Sequence, residues 1–107
     1  MARALVTVLP PSAARGELVE IRTLIAHPME TGYRVGDDGQ PLPRDLIRRL
    51  RCSYLGRVVF EAQLYAAVAA NPLISFWLRA EQSGPLVLSW EGDRGFAQTE
   101  TVELLVR

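Results

Sequence analysis

A period-two alternation of apolar side chains, cut into short runs by turn residues, is what most constrains this chain. In Val19 to Arg34, the first half places Val19, Ile21, Thr23 and Ile25 on one face, while Glu20 and Arg22 give way to Leu24 and Ala26 on the other. The pattern recurs along the sequence. Ala4 to Leu9 reads as a first strand, stopped by Pro10-Pro11-Ser12, and Glu17 to Ala26 as a second, entered through Arg15-Gly16. Residues 35–45 form a loop, because Asp38-Gly39 is a turn dipeptide and Pro41 and Pro43 cannot donate to a ladder.

Ile47 to Leu64 reads as a hairpin about Gly56. Leu50, Cys52 and Tyr54 share one face opposite Arg49, Arg51 and Ser53, and Val58, Phe60 and Ala62 share a face on the return. A helix over 45–52 also fits Leu46, Ile47 and Leu50, but Val58 to Phe60 beyond the turn need a partner strand. Tyr65 to Asn71 is a short connection with room for one helical turn. Leu73 to Gln82 alternates Leu73, Ser75, Trp77 and Arg79 against Ile74, Phe76, Leu78 and Ala80. Leu86 to Trp90 and Phe96 to Val106 close a last hairpin around Gly92-Asp93-Arg94-Gly95. About seven antiparallel strands predict an all-β, immunoglobulin-like sandwich, one domain over 1–107, without the Cys…Trp…Cys spacing of antibody domains.

Charge narrows the function. Twelve acidic and twelve basic residues cancel, so no global field draws the chain onto nucleic acid. Every basic residue is arginine, and Asn71 and Cys52 are the sole asparagine and cysteine, which fits a thermophilic source or a GC-rich genome. One cysteine makes no internal disulfide. Residues 1–6 lack the apolar core and cleavage site of an export signal. Leu64 to Leu78 is too short to span a bilayer and is broken by Asn71-Pro72.

Candidate chemistry is sparse. Cys52, flanked at two-residue spacing by Leu50 and Tyr54, reads as a small core residue rather than a nucleophile, because free cysteine is among the most buried types. His27 is the one histidine, so no His/Cys cluster of metal-ligand spacing exists and no metal or cofactor is expected. Beside Pro28 it reads as a local hydrogen-bonding residue. Arg44, Arg48, Arg49, Arg51 and Arg57 form the one basic concentration, read as a solvated sheet face, with attraction of an acidic partner or an oxyanion as the alternative. Trp77 and Trp90 read as core or interface anchors.

Several segments together resemble the SoxZ family. They are Glu20 to Arg34 (EIRTLIAHPMETGYR), Pro43-Arg44-Asp45 before the Cys52/Tyr54 strand, Ala70-Asn71-Pro72 before an aromatic strand, and Ser83-Gly84 before the Trp90 hairpin. The resemblance implies a non-catalytic subunit that pairs as a heterodimer with a SoxY-type carrier, whose C-terminal cysteine holds the sulfur intermediate of thiosulfate oxidation. It also implies transient docking of the pathway's enzymes and a periplasmic location reached by co-export with the partner. Within it, His27, Met29, Glu30, Thr31, Gly32, Tyr33 and Arg34 are expected to form a partner surface, and Cys52 is not the carrier. Alone, the chain is expected to self-associate. The competing readings are a carrier subunit of another redox system and a thiol redox protein using Cys52.

Overall fold

In the computed structural model, which describes residues 3–107, the alternating runs become strands of two facing sheets. Met1 and Ala2, part of the run read as lacking an export signal, lie outside the described residues. The strands are β1 (Ala4–Leu9), β2 (Ser12–Ala13), β3 (Leu18–Ile25), β4 (Ile47–Tyr54), β5 (Arg57–Gln63), β6 (Leu73–Arg79), β7 (Gly84–Gly92) and β8 (Ala97–Val106). The smaller sheet runs β1-β3-β6 and the larger β2-β8-β7-β4-β5. This is the all-β sandwich expected from the sequence. Among the described residues no helix is long and apolar enough to cross a membrane.

The core lies between the sheets and follows the alternation. Val19, Ile21, Thr23 and Ile25 of β3 face Leu50, Cys52 and Tyr54 of β4 and Leu86, Leu88 and Trp90 of β7, all buried. Full burial of each large aliphatic side chain contributes about 1.5–3 kcal/mol. Thr23 avoids a polar cost by donating its hydroxyl to Ile74 O at 2.8 Å. The Tyr54 hydroxyl donates to Gln82 O and accepts the N–H groups of Glu81 (3.0 Å) and Gln82 (2.9 Å), tying β4 to the β6–β7 turn. Phe60 and Phe76 stack at 4.1 Å, bringing β5 and β6, the edges of opposite sheets, to one flank of the sandwich.

Three expectations need correction. Pro10-Pro11 ends β1 but not the strand pattern: the chain crosses to the larger sheet, where β2 pairs parallel with β8 through Ser12–Leu105 and Ala13–Val106. Seven strands are antiparallel and this eighth is not, because two residues are too few to reveal a period. Val58 does not share the core face of Phe60 and Ala62. A register shift opposite Cys52 and Ser53 inserts an extra residue in β5, and Val58 is 53% exposed. Tyr65 to Asn71 forms no helical turn, only a hydrogen-bonded turn from Val68 N–H to Tyr65 O (3.0 Å).

Gly92 stands where chain packing forbids a side chain. A Cβ there would collide with Leu46 O, opposite the register shift between Ile47 and Arg49.

Candidate docking surface

The residues after β3 divide into an anchored base and an outward arm. At the base, His27 N–H donates to Asn71 Oδ1 (2.9 Å) and Asn71 N–H to His27 O (2.8 Å), a reciprocal pair spanning 44 residues. His27 Nδ1 accepts the Met29 N–H at 3.0 Å, which places the ring proton on Nε2, 3.5 Å from Asp45 Oδ1. Phe96 meets the ring edge-on at 4.9 Å. With both nitrogens turned to protein groups and the ring buried, His27 acts as a fastener. Met29, at φ +48°, turns its side chain inward, where Sδ accepts the Ile47 N–H (3.2 Å).

From Glu30 the chain doubles back on itself. Glu30 and Asp45 exchange N–H···O bonds of 2.8 and 2.7 Å, Leu42 N–H reaches Arg34 O at 2.8 Å, and Gly36 N–H closes the tip on Gln40 O at 2.8 Å. Gly32 requires its φ of +88°, and a Cβ there would press on Arg44 Cβ at 3.1 Å. Thr31 Oγ1 accepts the Tyr33 N–H (3.2 Å). Arg34 grips Glu30 at 2.6 Å, and its hydrogen bond and charge hold the Glu30 carboxyl below the ordinary glutamate value. Tyr33, 84% exposed, and Val35, 64% exposed, crown this arm. The radius of gyration of 16.1 Å exceeds the about 13 Å of a compact chain this size, consistent with an arm standing off the sandwich.

The seven residues expected as a partner surface therefore separate. Tyr33 and Arg34 face solvent, Glu30, Thr31 and Gly32 are half-buried, and the buried side chains of His27 and Met29 offer no contact surface. Their inward turn follows from the Asn71 clasp and the positive φ of Met29, neither of which shows as periodicity.

Asp93 pins the arm to the β7–β8 turn. Its carboxylate accepts the Leu46 N–H (3.1 Å) and pairs with Arg44 (3.2 Å) and Arg48 (3.1 Å). Burial alone would raise the Asp93 carboxyl, but the bonds from Arg48 and the Leu46 N–H, with the charges of Arg44 and Arg48, outweigh it and lower it. A carboxyl more acidic in the folded chain stabilises fully above the unfolded value of about 3.9, and this is lost as pH falls through the folded value. The thermal midpoint of the wild type is expected to drop more steeply than that of Asp93→Asn below about pH 4. Parallel curves in a melting series would contradict this.

The remaining arginines of the basic concentration are matched as well: Arg49 with Glu91 (2.8 Å), Arg51 with Glu61 (2.8 Å) and Arg57 with Glu81 (3.3 Å). Arg49–Glu91 and Arg51–Glu61 make the outer face of the larger sheet a solvated row of charge pairs rather than an unpaired basic patch, and Arg57–Glu81 ties the end of β5 to the β6–β7 turn.

The outer face of the smaller sheet is different. Register sets Leu5 beside Leu24 and Leu24 beside Leu73, a leucine row across all three strands, with Trp77 two rows along. Leu73 is 67% and Trp77 65% exposed. A shallow depression of about 410 Å³ follows Leu5, Leu24, Ala26 and Asn71. The one trace of this face in the sequence is a β6 run apolar on both faces. Trp90, by contrast, is core.

Cys52 is fully buried on β4, and burial pushes its thiol up to about 11, so it is neither accessible nor ionised near neutral pH. Among the described residues no group of three or more His, Cys, Asp or Glu side chains is arranged to hold a metal ion.

Comparison with known proteins bears on both fold and family. The solved superoxide reductase (neelaredoxin) of Ignicoccus hospitalis is similar at TM-score 0.71 and 17% identity, over 97% of this chain and 80% of that one. The reduced form of the Archaeoglobus fulgidus superoxide reductase (neelaredoxin) is similar at TM-score 0.59 and 18% identity, over 95% and 88%. Likeness at such identities shows a shared fold alone. No curated protein matches the chain. The family model described as "Sulphur oxidation protein SoxZ" matches residues 6–103.

Proposed function

This chain belongs to the SoxZ family of sulfur-oxidation proteins, and we propose from that premise that it is the non-catalytic subunit of a SoxYZ-type sulfur-carrier complex. It binds a SoxY-type partner and presents that partner's cysteine-bound sulfur intermediate to the enzymes of thiosulfate oxidation. The family match across 98 of the 107 residues carries this reading. The sealed Cys52 supports it, because a thiol without solvent access and with a raised pKa serves poorly as carrier or nucleophile. Exposed apolar side chains on the arm and the small sheet support a subunit that works with part of its surface covered. We take the complex to work in the periplasm, as the family resemblance implies.

Size-exclusion chromatography of the purified chain mixed with a SoxY-type subunit tests the pairing. Co-elution as a heterodimer is expected, and separate elution at micromolar concentration overturns it.

The arm is the proposed docking element for the partner or for visiting enzymes. Tyr33→Asp is expected to leave stability within about 0.5 kcal/mol, as exposed positions do, and to weaken association about tenfold or more. Unchanged affinities for the carrier subunit and the pathway enzymes in surface plasmon resonance would place the contact elsewhere.

A further inference from the structure

The sheet edges of this sandwich are not equally protected. β2 is two residues long, β1 touches β8, and β5 carries a register shift and the charged Arg57 and Glu61. Short length, bulges and charge are the usual defences of an edge against added strands. β6 has none of them except at its end: seven residues, no proline, no register shift against β3, and one charged residue, Arg79.

The hydrogen-bond pattern identifies what β6 leaves open. Ile25 N–H bonds Pro72 O (3.3 Å) and Ala80 N–H bonds Glu17 O (2.8 Å), so the even-numbered positions of β6 face β3. The N–H and C=O groups of Leu73, Ser75, Trp77 and Arg79 therefore point away from the sheet: among the described residues β3 is the one strand paired with β6, and no loop backbone bond reaches these groups. The same four residues put the exposed Leu73 and Trp77 side chains on the outer face. The Phe60–Phe76 stack brings the exposed Val58 and Val59 of β5 to this flank.

We propose that the open edge of β6 takes an extended strand of the sulfur-carrier partner by β-addition. That strand places apolar side chains beside Leu73 and Trp77 and a carboxylate beside Arg79. This rests on the SoxYZ-type reading above and assigns the contact to one element. Charge complementarity chooses the occupant. The arginines of β4 and β5 have carboxylate partners in the chain, whereas among the described residues Arg79 has none and donates to Gly16 O. The β6 strand of a second copy carries no acidic residue. In the full-overlap antiparallel register of two β6 strands, Leu73 opposes Arg79 of the other copy at both ends. A partner strand can place an acid there and add backbone hydrogen bonds along the edge.

Amide hydrogen exchange on the wild-type chain, free and with the SoxY-type subunit, tests this. The amides of Leu73, Ser75, Trp77 and Arg79 are expected to slow at least tenfold in the complex, with little change at Ile74, Phe76 and Leu78. Ser75→Pro removes one outward N–H that β3 does not use, a place where an edge strand tolerates proline, and is expected to melt normally and bind at least tenfold more weakly. A complex that forms without slowing of those four amides overturns the edge assignment while leaving the partner-binding reading intact. No complex at all overturns that reading itself. Slowing that appears in the isolated chain as concentration rises, and persists unchanged with partner, makes a second copy the occupant and also overturns the proposal. Should Ser75→Pro fail to fold, the wild-type exchange data decide alone.

Discussion

Replacing Trp90 with alanine is expected to cost the fold about 3–5 kcal/mol, the range for truncating a buried tryptophan. Trp90 lies on β7, between Leu50 of β4 and Gln98 of β8, and is almost wholly buried. Its removal leaves a cavity that the hydrogen-bonded strands on either side cannot close by collapsing. Domains of this size are stable by about 5–15 kcal/mol, so the variant stays folded with little reserve or unfolds near room temperature. Urea denaturation measures it. A loss under about 1 kcal/mol would mean that β7 is not the central element of the core. Trp77→Ala, at an exposed site, is not expected to behave this way.

Met29→Asp is expected to destabilise by more than about 3 kcal/mol, because it places an uncompensated carboxylate at a buried site. The backbone is not the obstacle, since aspartate tolerates a positive φ better than methionine does. The losses are the apolar contacts of Met29 and its acceptor for the Ile47 N–H, together with desolvation of a charge. Four residues on, Tyr33→Asp adds the same charge at little cost to the fold. Measured side by side in thermal melts, the two variants separate the inward base of this segment from its outward arm. Equal, small effects would place Met29 at the surface.

The strands were legible because a buried sheet face forces a period of two on the chain. Val19, Ile21, Thr23 and Ile25 declare the core face of β3, and Leu50, Cys52 and Tyr54 that of β4. What stayed hidden depends on register or on distant partners. β2 has two residues and no period, and the extra residue that turns Val58 outward exists only relative to β4. The pairing of Arg49 with Glu91 and Arg51 with Glu61 follows from which strands are neighbours, so the linear sequence gives a basic cluster where the sheet has a neutral ladder.

Which residues of the proposed docking segment face solvent was legible only in part. The run from His27 to Arg34 stood out by composition, and Tyr33 and Arg34 do face outward. His27 and Met29 turn inward because Asn71, 44 residues away, clasps the base. The open edge of β6 left a trace in Leu73 and Trp77 on the face opposite Phe76 and Leu78. Naming it an edge required the strand order.

On the proposed function, this chain supports the sulfur carrier without carrying sulfur itself. Intact-mass spectrometry of both subunits, taken from the reconstituted complex during turnover with thiosulfate, tests it most directly. Sulfur adducts are expected on the partner's cysteine, with an unmodified mass for this chain, Cys52 included. An adduct on Cys52 in the native complex would contradict it.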